Sequence, residues 1–279
     1  MTTLDLLTDD ETPLRRAKWA VVDCWTVVVQ EMTHLLRQPS TFVWQLGFPV
    51  VMVLLFVYVF GSAMDVTGRG AGEGYLEYAL PGLFAMTIAF GSMNTTLVIA
   101  LSKEKGFIDR FRSMPMASSA VVTGRGVADL IQASVDLLVL AMVALVLGWR
   151  PGGGLAATLA AFGLLLWLRL AFIFVGIYLG LLVKNAETAG NFFPLAFPFV
   201  MISSVFTPPD LMPGWLGTIA AWNPVSSTAT ATRELFESGT VPSDYWIQVH
   251  AVAGAVVWPA IIMAVFVPLA VRQYLRLSR

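Results

Sequence analysis

Charged residues inside apolar stretches are the first candidates for chemistry in this chain of 279 residues. Asp129, Gln132 and Asp136 are spaced at i, i+3 and i+7, so a helix would carry them on one face. Arg169 stands in the middle of the next apolar run. Charges in an apolar environment pair with each other or line an aqueous cavity. The spacing predicts an ion pair between Arg169 and Asp136, with Asp129 nearer the cytoplasmic edge. A substrate-contacting or proton-relaying role is the alternative.

Other signatures of catalysis are absent from the sequence. There is no GxxxxGK[ST] phosphate-binding loop, and the two histidines, His34 and His250, form neither an HExxH pair nor a cluster with acidic residues. Cys24 is the only cysteine, which excludes an intrachain disulfide and a cysteine-based metal cluster. A net charge of −1 gives no indication of a nucleic-acid partner. Because these motifs are absent, we also expect no metal site and no catalytic residue in this chain.

The composition is that of a membrane protein. Hydrophobic residues make up 57% of the chain and charged residues 13%, whereas soluble domains have about 45–50% and about 25%. Apolar segments of about 20 residues match the thickness of a bilayer. We therefore predict an all-α integral membrane domain over residues 14–279 with six spans. These spans are expected at about 42–61, 78–101, 120–148, 155–183, 189–206 and 249–271.

Three further segments are predicted not to cross the membrane. Residues 1–13 are polar and acidic and are expected to form a disordered cytoplasmic tail. Residues 14–37 have one apolar stripe and a polar back, which favours a helix in the membrane interface over a soluble helix packed on a partner. Region 208–236 has short apolar pieces, Gly214–Ala221 and Ser226–Phe236, among prolines and tryptophans. These pieces predict short helices that dip into the membrane or lie at its face.

The placement of lysine and arginine predicts the orientation of the chain. If the N-terminus is cytoplasmic, 13 of the 17 basic residues lie inside, three lie outside and Arg169 lies within a span. This asymmetry satisfies the positive-inside rule. Both termini and the charged segment at 103–117 are therefore expected in the cytoplasm, and region 208–236 on the outside.

The charged segment between the second and third spans is predicted to be a short amphipathic helix. Phe107, Phe111 and Met114 fall at i, i+4 and i+7, and Pro115 ends the helix. Physical reasoning leaves two interpretations open: a basic helix held on anionic lipid, or a helix that enters a groove on a cytoplasmic protein. The candidate contact residues are Lys103, Glu104, Lys105, Phe107, Ile108, Arg110, Phe111, Arg112 and Met114.

Three motifs carry a resemblance to a known family. They are YALPG at 78–82, RFRSMPM at 110–116, and the run FTPP…LMPGW…WNP between 206 and 224. Together they are similar to the ABC-2 family of ABC transporter permeases, especially permeases of daunorubicin/doxorubicin-resistance-type exporters of actinobacteria. The resemblance extends from about residue 15 to the end of the chain.

The resemblance implies a dimeric permease in a bacterial plasma membrane that exports hydrophobic or amphipathic compounds such as drugs, lipids or antibiotics. Two copies of an ATP-hydrolysing subunit would bind its cytoplasmic face, so ATP and Mg²⁺ would be held by that partner. Residues 103–114 would be the coupling helix, and 208–236 would form external re-entrant helices. The substrate path would lie at the dimer interface, near the first, second and fifth spans. Its candidate lining residues are Phe48, Phe56, Asn94, Thr95, Phe193 and Phe197.

Two other functional classes are weighed against this one. A channel or secondary carrier that is not driven by ATP would use Asp129, Asp136 and Arg169, and would depend on an ion rather than on an ATPase partner. A membrane-embedded enzyme is the weaker class, because no clustered set of acid, base or metal ligands is present in the sequence.

Overall fold

The computed structural model describes residues 39–60, 73–105, 118–239 and 241–277, together with Val29 and Thr33. Every described element of secondary structure is a helix. The elements are α1 (Pro39–Leu55, continued by a π-helical turn over Phe56–Phe60), α2 (Glu73–Glu104), α3 (Ser118–Val146), α4 (Gly154–Leu182), α5 (Ala186–Gly190), α6 (Phe193–Met201), α7 (Gly214–Ala221), α8 (Pro224–Phe236), α9 (Trp246–Val249) and α10 (Ala251–Leu277), with a 3₁₀ turn over Pro209–Leu211.

Two predicted segments lie mainly or wholly outside the described residues. They are the cytoplasmic tail at 1–13 and the interfacial helix at 14–37, of which only Val29 and Thr33 are described. The coupling segment at 103–114 is described only as far as Lys105.

Four described helices are long and apolar enough to cross a membrane. Their qualifying stretches are Tyr75–Glu104, Gly124–Val146, Gly154–Leu182 and Ala251–Arg276, with 30, 23, 29 and 26 residues. At about 1.5 Å per residue, even the shortest covers about 35 Å, which exceeds the hydrocarbon core of a bilayer. The chain is therefore a multi-pass helical membrane protein, and these helices fall where the second, third, fourth and sixth spans are predicted.

The predicted single span at 189–206 is instead two short helices. Helix α5 ends at Gly190 and α6 begins at Phe193. Pro194 has no N–H to donate to the carbonyl of Gly190, and its ring would clash with that carbonyl, which favours the break found here. In the first turn of a new helix, where no donor is needed, the same proline is well tolerated.

The core of the described bundle is built around α2. This helix packs against α3, α4, α5, α6 and α8, while α10 packs against α4 and α8. The exposed residues of α10 include Val256, Val257 and Ile261, as expected of a surface that faces lipid. The apolar core combines Leu80, Leu83, Phe84 and Ile88 of α2 with Leu137 and Leu140 of α3, Leu165 and Leu168 of α4, and Phe236 of α8.

The two short helices in the predicted external region differ in burial. Helix α7 has the predicted bounds and exposes Trp215 and Trp222. Helix α8 begins at Pro224, and Asn223 is its N-cap: the Asn223 side chain accepts a hydrogen bond from the Val225 N–H at 2.9 Å. Helix α8 is polar and yet enters the bundle, because small side chains let neighbouring helices approach closely. Its buried polar residues include Ser226, Ser227, Thr228 and Thr232.

Candidate functional site

A buried ion pair joins three of the long helices. Nη2 of Arg169 in α4 lies 3.5 Å from Oδ1 of Asp129 in α3, and both side chains are almost completely buried. The hydroxyl of Thr95 in α2 donates to the other carboxylate oxygen of Asp129. Nη1 of Arg169 donates to the carbonyl of Ile88 at 3.3 Å. The guanidinium and carboxylate therefore link α2, α3 and α4 at one level of the bundle.

Because Gly91 has no side chain, the guanidinium of Arg169 can pack directly against the backbone of α2. A Cβ atom added at Gly91 would lie 1.7 Å from Nη1 of Arg169, closer than any non-bonded contact. Only glycine leaves this room without moving the arginine. An added methyl group would therefore push the end of the Arg169 side chain aside and weaken its ion pair with Asp129.

The predicted partner of Arg169 is wrong. Arg169 pairs with Asp129, while Asp136 is half-buried and accepts a hydrogen bond from Nε2 of Gln132 at 2.9 Å. Helices α3 and α4 are antiparallel neighbours joined by the short turn after Val146. Counted from that turn, Arg169 and Asp129 lie at nearly equal distances along their helices. Asp136 lies about two turns closer to it, so its carboxylate is at a different depth.

Four phenylalanines from three helices form a surface that we call the aromatic face: Phe48 of α1, Phe90 of α2, and Phe193 and Phe197 of α6. The ring centroid of Phe90 lies 6.5 Å from that of Phe48, 5.7 Å from that of Phe193 and 6.1 Å from that of Phe197. The rings of Phe48, Phe193 and Phe197 are exposed in this single chain. The aromatic face is thus an open apolar surface, and it includes three of the predicted lining residues.

The other predicted lining residues have different surroundings. Phe56 stacks on Phe206 at a centroid distance of 4.3 Å. Asn94 is partly exposed one turn after Phe90, on the same side of α2. Thr95 was predicted to line the path as well, but it is fully buried and binds Asp129. Successive side chains on a helix are rotated by about 100° from each other. Thr95 follows Asn94 directly, so it points toward α3 and away from the aromatic face.

At the end of α2, two of the predicted coupling residues bind their own chain. Nζ of Lys103 donates to the carbonyls of Leu181 at 3.0 Å and Val183 at 2.9 Å, where α4 ends. The last carbonyls of a helix lack intrahelical donors and carry partial negative charge, which favours a cation. Glu104 accepts a hydrogen bond from the backbone N–H of Ala186 at 3.1 Å. The ends of α2 and α4 and the start of α5 are therefore held together.

Lys105 is exposed at this end of the molecule. The remaining predicted contacts lie outside the described residues: Phe107, Ile108, Arg110, Phe111, Arg112 and Met114.

A second buried arginine at the opposite end of α2 was not recognised from the sequence. Nε of Arg233 in α8 donates to the carbonyl of Tyr78 at 2.8 Å. Nη2 donates to the carbonyls of Ser204 at 2.8 Å and Val205 at 3.0 Å. The guanidinium carbon lies 3.7 Å from the centroid of the Tyr78 ring, a cation–π distance. The sequence feature that could have indicated its role is a single arginine in a segment otherwise rich in Ser, Thr and Ala.

A cavity of about 340 Å³ opens beside Arg233. Its lining includes Asp210, Thr230, Glu234 and Gln248. Burial lowers the pKa of the Arg233 guanidinium and raises the pKa of the Glu234 carboxyl from their usual values, because each charged form loses hydration. Within the described ranges, no three His, Cys, Asp or Glu residues are grouped so that they could hold a metal ion.

Comparison with known proteins gives a consistent set of relatives. The family model described as ABC-2 type transporter matches residues 22–236. The daunorubicin resistance ABC transporter permease protein DrrB1 of Streptomyces coeruleorubidus is 29% identical over 257 residues, which cover 89% of this chain and 87% of that protein.

Two more distant relatives are also named as permeases. The putative transport permease ycf38 of Cyanophora paradoxa is 23% identical over 77% of this chain and 74% of its own length. The probable multidrug ABC transporter permease YbhR of Escherichia coli (strain K12) is 24% identical over 58% of this chain and 44% of its own length.

Proposed function

Because the chain belongs to the ABC-2 type transporter family, we propose that it is the membrane permease subunit of an exporter driven by a separate ATP-hydrolysing subunit. The relatives are named as permeases, and two of the names refer to daunorubicin resistance and to multidrug transport. These names support a hydrophobic or amphipathic substrate that leaves the cell.

The observation that carries the proposal is the continuity of α2. This helix runs without a break from Glu73 to Glu104. It contributes Phe90 to the aromatic face, and it ends where the predicted coupling segment at 103–114 begins. Lys103 and Glu104 bind the end of α4 and the start of α5. A displacement of the coupling segment would therefore move α2 and its neighbours together, which is what a partner ATPase requires of a permease.

The contacts along α2 support a total of six membrane-crossing segments. The chain through α5 and α6 contacts α2 at Glu104 near one end and at Gly82 near the other, where Gly82 lies against the carbonyl of Val205. That stretch of α2 covers about 22 residues, or roughly 33 Å at the helical rise. We propose that α1 and the broken α5–α6 segment cross the membrane along with the four long helices.

The basic residues indicate which end faces the cytoplasm. Basic residues cluster where α2, α4 and α10 end: Lys103 and Lys105 at the end of α2, Lys184 just after α4, and Arg272 and Arg276 in the last two turns of α10. The positive-inside rule favours the cytoplasm for such a cluster. The proposal therefore puts both termini inside. It puts α7 and α8 at the outer surface as the external helices over the exit.

The proposed assembly contains two copies of this chain and two ATPase subunits that hold ATP and Mg²⁺. The aromatic face is open and apolar, which suits a substrate path between two copies of the chain in contact with membrane lipid. A channel or secondary carrier that uses the intramembrane charges is disfavoured. Asp129 and Arg169 are buried and bind each other, so they do not line an open path.

The test is the double substitution Phe107→Ala with Phe111→Ala in the reconstituted complex. Removing both rings is expected to abolish co-purification of the ATPase or to lower transport per ATP hydrolysed about tenfold, because a helix-in-groove contact depends on such apolar anchors. Phe199→Ala, an exposed phenylalanine in α6, is the matched control for ATPase binding. If the double variant still binds the ATPase and transports at the normal rate, the coupling assignment is wrong. Transport without any ATP requirement would contradict the exporter as a whole.

A further inference from the structure

We propose that Arg233 is a positioning residue that fixes the outer end of α6 and thereby sets the geometry of the aromatic face. The inference rests on the proposed function in one respect: it takes that face to contact the transported compound. Helix α6 supplies two of its four rings, Phe193 and Phe197, so any shift of α6 changes the shape of the face.

Helix α6 has little packing of its own to hold it in place. It is nine residues long, and Val200 is its only fully buried residue. Phe193, Leu195, Phe197 and Phe199 expose 45%, 71%, 42% and 44% of their surface. Since burial against neighbours supplies most helical stability, the position of α6 must depend on how its two ends are fixed.

The outer end of α6 is held by side chains of α8 and α2. The helix stops at Met201, and carbonyls near such an end lack intrahelical donors. Nδ2 of Asn223 donates to the carbonyls of Phe199 at 2.7 Å and Ile202 at 2.9 Å. Arg233 binds the carbonyls of Ser204 and Val205, and the hydroxyl of Tyr78 donates to the carbonyl of Ser204 at 2.8 Å.

The inner end of the α5–α6 segment contacts α2 in a different way: Ala189 and Phe192 pack with Ala100 of α2 in a small apolar cluster. Its polar link is the exposed hydrogen bond from the Ala186 N–H to Glu104. An exposed hydrogen bond contributes less to stability than a buried one, because water competes for its donor and its acceptor. The buried hydrogen bonds that hold this segment are therefore at its outer end, and Arg233 supplies the charged donor among them.

The chemistry of this attachment is specific to arginine. Among the described residues, no carboxylate lies within ion-pair distance of Arg233, and its charge is balanced by three carbonyls and the Tyr78 ring. The planar guanidinium has N–H groups that point in fixed, forked directions and can bind acceptors on two elements at once. A lysine ammonium is a compact charge and cannot reproduce this forked set of donors. A Cβ atom at Gly82 would lie 2.8 Å from Nη2, so glycine leaves room for the fork.

The test is Arg233→Lys in the full chain, reconstituted with its ATPase and studied by hydrogen–deuterium exchange. We expect amides between residues 193 and 206 to exchange several-fold faster, while those of 154–182 stay unchanged. With daunorubicin as the probe, ATP hydrolysis is expected to persist while transport per ATP falls several-fold. Arg150→Lys is the matched control: Arg150 is exposed, and it binds only the nearby carbonyls of Leu145 and Trp149.

The outcomes separate the inference from the proposed function. Unchanged exchange at 193–206, equal acceleration throughout α2 and α4, or normal transport per ATP despite faster local exchange would each overturn the role of Arg233. A wild-type complex without ATP-dependent transport would instead contradict the proposed function, and it would leave the exchange result standing. If Arg233→Lys does not fold, Tyr78→Phe is the second variant. It removes only the hydrogen bond from the Tyr78 hydroxyl to the carbonyl of Ser204, and it should increase the exchange rate of the amides at 193–206 by a smaller factor.

Discussion

The two buried arginines among the described residues are stabilised in different ways. Arg169 is neutralised by the carboxylate of Asp129. Arg233 has no carboxylate at ion-pair distance within the part of the chain that the structure describes, and it contacts backbone carbonyls and an aromatic ring. In both places a glycine of α2 provides the space for the guanidinium, Gly91 for the first and Gly82 for the second. These two glycines thus let the guanidinium groups of α4 and α8 pack closely against the backbone of α2.

Gly91→Ala is expected to destabilise the protein by about 1–3 kcal/mol, because the added methyl group must push the end of the Arg169 side chain aside and so weakens its ion pair with Asp129. The measurement is the thermal midpoint at which the detergent-solubilised protein loses its monodisperse peak. Gly163→Ala is the matched control in α4, since a Cβ atom at Gly163 has no neighbour within 4 Å. Equal midpoints for the two variants would show that the ion pair does not depend on Gly91.

At the scale of elements, α2 differs from the other helices in being fixed at both ends by charged side chains. Lys103 holds the end of α4 at one end, and Arg233 binds the carbonyl of Tyr78 near the other. Lys103 was predicted to contact the ATPase, but its ammonium is already bound within the chain. Its contribution to coupling would therefore be to keep the start of the coupling segment rigid.

Lys103→Met is expected to lower the free energy of unfolding by about 1–3 kcal/mol, since it removes two charge-assisted hydrogen bonds to otherwise unpaired carbonyls. Lys105→Met, the control two residues later, changes an exposed lysine and is expected to have little effect. Urea or thermal unfolding followed by tryptophan fluorescence measures both. A larger loss for Lys105→Met than for Lys103→Met would refute the proposed role of Lys103.

At the scale of the whole molecule, the described helices have two chemically distinct ends. One end combines the basic residues at the ends of α2, α4 and α10 with the link between Lys103 and α4. The other combines the buried polar helix α8, the exposed tryptophans of α7 and the cavity beside Arg233. A permease that receives force on one side and releases substrate on the other requires such an asymmetry.

The proposed orientation is tested with cysteine labelling in intact bacteria. After Cys24→Ser removes the only native thiol, Asp244→Cys is expected to react with an impermeant maleimide from outside. Lys105→Cys should react only after the cells are permeabilised. Both positions are exposed in the structure, so access to the side chain is not limiting. The reverse pattern would invert the topology.

Local sequence information was sufficient to predict the four long helices and the protein family. Apolar length predicted four helices that the structure contains, because a bilayer demands about 20 apolar residues whatever their neighbours. The resemblance to ABC-2 permeases, based on three short motifs, is confirmed by the family match over residues 22–236. The break after Gly190 was harder to predict: Pro194 removes one helical hydrogen bond there, but prolines also lie inside the continuous helices α1, α2 and α10.

Contacts between distant residues could not be derived in the same way. Arg233 and Tyr78 are 155 positions apart, and no local pattern brings them together. The choice of Asp129 over Asp136, and the burial of Thr95, depend on the register and rotation of packed helices, which shift a side chain by whole turns or by about 100° per residue. Composition and motifs thus define a membrane permease, whereas the partners of its buried charges follow only from how α2, α3, α4 and α8 pack.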